Sequence, residues 1–399
     1  MRGEDAVIID VVRTANGRRN GALSGWHPSD LAARSMRALI DRNNIDPARI
    51  DDVIMGCVNQ VGAQSMNIGR SAVLAANFPP SVPATTIERQ SGSSQQAVHF
   101  ATQGVVAGAY DLVIAAGIEM MSVVPMGIAA LVKDAGRPFG PAMTARFGAD
   151  GGLLPQGVAA ERTAEALGLG REQLDDFGLR SHRRAARARD EGRFDREIIP
   201  IHRRWFDRDS GRVIETEQIL TADEEIGAPT TEALAALKPL FSSDGTVTAG
   251  NSAPMADGAA AVLITSETTA RRLELTPRAR LVATSVAATD PISPVPGSIP
   301  ATAKVLDTAG LALDDIDRFE VDETFAVSVL AWHDAHHADI DRVNVNGGAI
   351  ALGQPLGSAG IRLLATLVGE LERSGGRFGL QTMGELGGTA NATVIERLG

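Results

Sequence analysis

The chain predicts a layered α/β fold made of two similar halves, and three observations carry that reading. An apolar content of 44% with only 4% aromatic residues asks for a core of Ala, Val, Leu and Ile, as helices packed closely on sheets require. The grammar of the first third of the chain returns in the last third. Glycine-dense turns stand where strands give way to helices, and glycines so placed serve positive φ or a close approach of backbone to a ligand. At 399 residues the length suits two or three domains.

In chain order, a helix over 30–42 leads into the connector IDPARIDDVIMG and a buried strand reaching Cys57. The stretch ERQSGSSQQA, residues 88–97, then reads as a strand end, a small-residue turn and a helix over 91–107 that breaks at Gly108. An apolar strand over 112–116 closes the first half. Residues 123–246 have another texture: an arginine-rich helix over 171–191, the turn Asp207-Arg208-Asp209-Ser210-Gly211, and the acidic run Asp223-Glu224-Glu225. They read as an inserted, more polar subdomain. A strand over 259–265 returns to the first half. From residue 273 the first order repeats: a helix over 301–309, the connector LALDDIDRFEVD, a turn near Leu356 opening an apolar helix over 361–371, and a strand over 378–383. The expected organisation is residues 1–122 with 247–272, an insertion over 123–246, and a second half over 273–399, with equivalent turns meeting between the halves.

A formal net charge of −11 without a basic stripe argues against nucleic acid as partner. Cys57 is the only cysteine, which excludes an intramolecular disulfide, an iron–sulfur cluster and a cysteine zinc site, and its strand setting predicts a packed thiol. Asp111 and Glu119 interrupt the most apolar region, 104–132, so no stretch approaches membrane-spanning length. The N-terminus, with Arg2, Glu4 and Asp5, shows no signal peptide. A cytoplasmic protein with no membrane partner is expected. His333, His336 and His337 share one helix face, and a solvent-facing helix end is expected there rather than a metal pair. His99 is expected in the core.

Ser91 is the first candidate functional residue. The turn points its side chain outward, and a helix start leaves N–H donors and a positive dipole end where a reacting carbonyl oxygen gathers charge. A serine N-cap is the plainer alternative. Two further glycine turns, NVNGGAIALGQPLGSAG at 344–360 and QTMGELGGTANAT at 381–393, shift the balance toward a site.

With the opening DAVIIDVVRTANGRRNGALSG and the later GTVTAGN and DGAAAVLI, these turns resemble the thiolase family of acetyl-CoA acetyltransferases and 3-ketoacyl-CoA thiolases over nearly the whole length. The resemblance implies a duplicated five-layer αβαβα core, an insertion that folds over the active site and holds coenzyme A, no required cofactor, and a homodimer or homotetramer. It also implies site residues, and there the chain departs. Ser91 stands at the family's cysteine nucleophile, Gln354 at its histidine, and Gly384 at its second cysteine, the base. The family's NEAF turn, whose asparagine holds a catalytic water, reads Asp322-Glu323-Thr324-Phe325. Leu386 replaces a glycine of the last loop, ahead of Gly387. For coenzyme A, Gly227 stands where the family commonly has an arginine, and Ala253, after Ser252, where it has a serine meeting the pantetheine arm.

These replacements bear on the chemistry. A thiol ionises near pKa ~8.5, a serine hydroxyl far less readily. A helix N-terminus supplies about 1–2 kcal/mol against about 1.4 kcal/mol per pKa unit, so Ser91 needs a base. Gln354 offers no proton to exchange but can hold an oxyanion. Asp322 is the first candidate base, because burial raises a carboxylate's pKa. Glu323 is read as structural, Glu385 as a distant third, and Gly384 has no side chain. The expectation is therefore a chain that is not a competent Claisen enzyme. Three readings stay open: an acyltransferase forming esters or amides or hydrolysing thioesters through Ser91, an inactive subunit or binding partner, and an engineered or residual acetyl-CoA C-acyltransferase. The substrate in the first is an acyl-CoA or acyl-carrier-protein thioester, the lost cationic contact at Gly227 favouring the carrier.

Overall fold

A computed structural model of the chain describes residues 5–134, 136–147 and 153–399. Arg2 and Glu4 of the N-terminal reading, and residues 135 and 148–152 of the expected insertion, lie outside the described residues.

Nine strands, labelled here in chain order, make the main path: β1 (Ala6–Thr14), β2 (Asp52–Gly56), β3 (Ala84–Ile87), β4 (Leu112–Met120), β5 (Ala256–Ser266), β6 (Ala279–Ala288), β7 (Arg318–Val321), β8 (Phe378–Gly384) and β9 (Thr389–Arg397). Their spatial order is β7-β8-β9-β6-β1-β5-β4-β2-β3. The duplication is explicit in the pairing. In one half β2 and β4 run parallel, and β4–β5 and β5–β1 antiparallel. In the other, β7 and β8 run parallel, and β8–β9 and β9–β6 antiparallel. The halves join through a short antiparallel seam, with Val7 opposite Arg280 and Ile8 opposite Ala279. All nine residues of β4 and all eleven of β5 are buried, which is why these segments read as unbroken small-apolar runs rather than alternating ones.

Six helices position the site: α1 (Pro28–Asn43), α2 (Ser93–Val106), α3 (Arg171–Asp190), α4 (Ser298–Ala309), α5 (Ala326–His336) and α6 (Leu356–Ser374). Helices α2 and α6 pack on each other as the central layer, where Ala97, Ala101, Ile361 and Leu364 share a core with Val113 and Val262. On the outer face of the first half, Leu31, Met36 and Leu39 of α1 pack on Met55 and Leu263. On the outer face of the second, Val305 of α4 and Trp332 of α5 pack with Phe319, Leu380 and Val394. The result is the αβαβα layering. Close approach in the middle depends on Gly360, where a Cβ would lie 2.5 Å from the Gln95 backbone nitrogen.

A buried polar link ties the halves behind the turns. Gln95 Nε2 on α2 donates to Thr393 Oγ1 on β9 at 2.8 Å, and His99 Nε2 meets the same hydroxyl at 2.8 Å. His99 sits in the core as expected, its pKa pushed down to about 3 by burial and then by Arg89. Cys57 is buried just past β2, and burial, Glu119 and Glu88 push its thiol up. The predicted Asp207–Gly211 turn joins a hairpin, Ile201–Asp207 and Arg212–Leu220. His336 stacks on Trp332 at 5.2 Å, so it is half-buried rather than solvent-facing. Among the described residues no cluster of side chains could hold a metal ion, and no helix is long and apolar enough to cross a membrane.

Candidate active site

Helix α2 begins at Ser93 rather than Ser91, because Gln90 takes a positive φ of 48° and Gly92 caps without a side-chain bond. The two residues expected to open the helix therefore belong to the turn. Ser91 does not point outward as expected. It is 1% exposed, and its hydroxyl donates to the carbonyl of Gly384 at 3.0 Å. The physical reason is packing between the halves: the turn before α2 in one meets the loop after β8 in the other, so the side chain between them is covered.

The loop after β8 supplies the other wall. Gly387 and Gly388 take φ of 79° and 77°, which lets the chain reverse within a few residues, and the Glu385 N–H reaches the Thr389 carbonyl at 2.9 Å. The reversal turns the Glu385 side chain inward over Gly92: a Cβ on Gly92 would sit 1.9 Å from Glu385 Oε1. Neither buried Glu385 oxygen has a hydrogen bond of good geometry: the nearby Thr389 hydroxyl lies close enough to lower the carboxyl but is directed to the Leu386 carbonyl at 3.4 Å. Burial pushes the Glu385 carboxyl up to about 8, against smaller lowering effects of Thr389 and Arg89 and with a raising effect of Asp322. At Gly384 itself a Cβ would meet nothing within 4 Å apart from its two chain neighbours, so no other segment fills the position where the family's base is expected.

Asp322 lies at the end of β7, its N–H on the Thr382 carbonyl at 3.0 Å. Thr324 Oγ1 donates to Asp322 Oδ2 at 2.5 Å and receives Gln354 Nε2 at 2.8 Å. That chain leaves Asp322 Oδ1 and Gln354 Oε1 buried and unpartnered. Burial raises the Asp322 carboxyl; Thr324, Arg362 and Gln354 oppose it. Glu323 is satisfied by Ser181 Oγ at 2.6 Å, Asn344 Nδ2 at 2.8 Å and the Ile350 N–H at 3.3 Å, which fits the structural role read from the sequence.

Two cavities flank this wall. Asp322, Gly384, Glu385, Leu386 and Gly387 line the first. Ser252, Ala253, Gln354, Phe241 and Met255 line the second, which is mostly apolar. Thr324 and Phe325 face both. Backbone bonds from Ala253 N to the Thr324 carbonyl and from Gln354 N to the Pro254 carbonyl, each 3.0 Å, hold the 252–255 segment beside the site. Gly227 is not brought in: it is exposed, its N–H on His182 Nδ1 at 3.3 Å.

The sequence reading undervalued two residues. Glu385 in GELGG carried a signal, an ionisable residue between loop glycines. Arg362 carried none, as one arginine within an apolar helix; it is 2% exposed and is the positive charge facing Glu320, Asp322 and Glu323.

Comparison with known proteins bears on the function. The family description "Thiolase, N-terminal domain" matches residues 6–268, and "Thiolase, C-terminal domain" matches 275–397. The chain is 45% identical to "Steroid 3-ketoacyl-CoA thiolase FadA6" of Mycobacterium tuberculosis, over 99% of this chain and 94% of that one. It is 41% identical to "3-ketoacyl-CoA thiolase" of Aliivibrio salmonicida, over 99% and 100%. The crystal structure of human mitochondrial 3-ketoacyl-CoA thiolase in complex with CoA superposes with a TM-score of 0.87 at 33% identity, covering 99% of this chain and 98% of that one.

These relatives overturn the expectation of a chain that is not a competent Claisen enzyme, and with it the ester- or amide-forming, inert-subunit and residual-activity readings. Along its full length the chain matches proteins named 3-ketoacyl-CoA thiolase. The expectation had rested on the side chains at three family positions, whereas the likeness to these relatives runs along the whole chain. From β1 to β9, the chain belongs to the thiolase family.

Proposed function

We propose that this protein exchanges acyl groups between 3-ketoacyl-CoA thioesters and coenzyme A by carbon–carbon cleavage, and runs the reverse condensation. The observation that carries the reading is likeness to 3-ketoacyl-CoA thiolases along the whole chain, joined to a mostly apolar cavity ending at Gln354 and Thr324. In this reading the pantetheine arm runs past Ser252 and Ala253, and the carbonyl to be attacked lies over Ser91. Ser91 Oγ bonds to the ketone carbon while its proton passes to Asp322, whose buried Oδ1 is free to accept it. The Gln354 amide and the start of α2 hold the oxygen as it gathers charge.

The reaction draws on side chains and two thioester or thiol substrates, with no further cofactor. The proposed division is one half at 1–122 with 247–272, an insertion at 123–246 and a second half at 273–399. A cytoplasmic homodimer or homotetramer is proposed with them.

Purified protein given acetoacetyl-CoA, then longer 3-ketoacyl-CoAs, with free CoA should release acetyl-CoA and the shortened acyl-CoA, read by mass spectrometry. A Ser91→Ala variant should lose at least about 100-fold of that rate. If no chain length yields a shortened product, the reading is wrong. Matched acyl-carrier-protein thioesters in the same assay test the second donor class.

A further inference from the structure

We propose that Glu385 is the group that moves the α-carbon proton, acting across the open space at Gly384 in place of a side chain on residue 384 itself. This rests on the thiolase reading above and assigns a residue to its central step.

Three observations point to it. Burying a carboxylate with neither oxygen hydrogen-bonded is costly, and among the described residues only Glu385 leaves both of its carboxylate oxygens so. Such a group is held ready for something absent from the protein. The cavity it lines is also lined by Asp322 and Gly384, and it rests over Gly92, the residue that follows Ser91. Finally, residue 384 leaves room: apart from its two chain neighbours, nothing lies within 4 Å of a Cβ there, so the α-carbon of a thioester held in this cavity can approach Glu385. The charged groups facing Glu385 are Glu88 and Arg89 from the turn before Ser91 and Asp322 from the end of β7, with the Thr389 hydroxyl beside it. Their net effect and burial hold the carboxyl near 8, so it carries a proton at neutral pH and can both give and take one.

The step balances as follows. With the substrate joined to Ser91 Oγ, the bond between C2 and C3 breaks and its electron pair goes to C2. The Glu385 proton is delivered there, releasing acetyl-CoA and leaving the acyl group on Ser91 as an ester. The Glu385 carboxylate then removes the thiol proton of incoming CoA. The sulfur attacks the ester carbon, the carbon–oxygen bond breaks, and Ser91 recovers its proton from Asp322.

Exchange of the acetyl-CoA methyl protons with deuterium from solvent tests this step apart from thiolysis. Wild-type protein should incorporate deuterium; Glu385→Gln, close in shape, should lower the rate roughly 100-fold, while Glu385→Asp keeps part of it. Gly384→Cys placed in the Glu385→Gln background should restore exchange, a rescue that a purely structural role for Glu385 would not show. Ser91→Ala should still exchange while losing thiolysis. If Glu385→Gln, folded by circular dichroism, exchanges within about 3-fold of wild type, the assignment to Glu385 is overturned while the thiolase reading stands. Wild-type protein that cleaves 3-ketoacyl-CoA without exchange overturns it as well. Protein that neither cleaves nor exchanges overturns both.

Discussion

Two buried glutamates end equivalent strands of the two halves, and the fold treats them in opposite ways. Glu119, near the end of β4, accepts from the Val58, Asn59 and Gly357 N–H groups and from the Asn59 and Gln64 side-chain amides, at 2.9–3.2 Å. It fastens the 57–64 loop to the start of α6. Glu385, just past β8, has no such partner. Burial raises the carboxyl of both, so burial alone does not separate a structural acid from a reactive one. The count of donors does: a saturated carboxylate is committed to the frame, an empty one is free for a ligand.

The largest effect expected from breaking this comparison is on stability at Glu119. Glu119→Ala removes the acceptor of five donors, of which Gln64 Nε2 keeps the Asn59 carbonyl at 2.9 Å, and the loss should be on the order of 5 kcal/mol, read from urea unfolding. A loss under about 1 kcal/mol would mean that water replaces the carboxylate and that donor count is a poor guide.

Glu385→Gln should act in the opposite direction. A carboxyl near 8 when folded and near ~4.3 when unfolded takes up a proton on folding. The stability it contributes is greatest below about 4.3 and is lost as pH rises through about 8. The glutamine variant lacks this dependence. It should match wild type near pH 5 and exceed it near pH 8.5 by roughly 2–4 kcal/mol. Parallel thermal melts across that range check the sign; a wild type that gains on the variant as pH rises would contradict it.

The smallest effect belongs to Gly384. Its φ is not positive and a Cβ meets nothing, so Gly384→Ala should change stability by no more than about +0.5 kcal/mol, through the unfolded chain, and leave the unfolding slope unchanged. Marked destabilisation there would mean that the space beside Glu385 is already filled.

Much of this frame was legible because it is local. The strand over 112–116 and the helices over 30–42, 301–309 and 361–371 all appear, each extended by a few residues at its ends. Apolar runs, caps and connectors repeated in the same order marked the duplication. The site was less legible because its decisive contacts join residues nearly 300 positions apart, as Ser91 with Gly384 does. Sequence placed Ser91 at a turn but not under a lid. It gives Asp322 as a buried carboxylate, which it is, and puts Glu385 third among the candidate bases, since its inward turn over Gly92 leaves no local pattern. The continuous sheet was also hidden, since the seam of β1 and β6 leaves no pattern of its own.

The link of Gln95, His99 and Thr393 has an evolutionary consequence. It clamps a helix to a strand one layer beneath the reacting turns, so the spacing of those turns does not depend on which side chains they carry. Chemistry at the surface of such a frame can be exchanged piece by piece, cysteine for hydroxyl or thiol for carboxylate, without the scaffold losing its alignment in between.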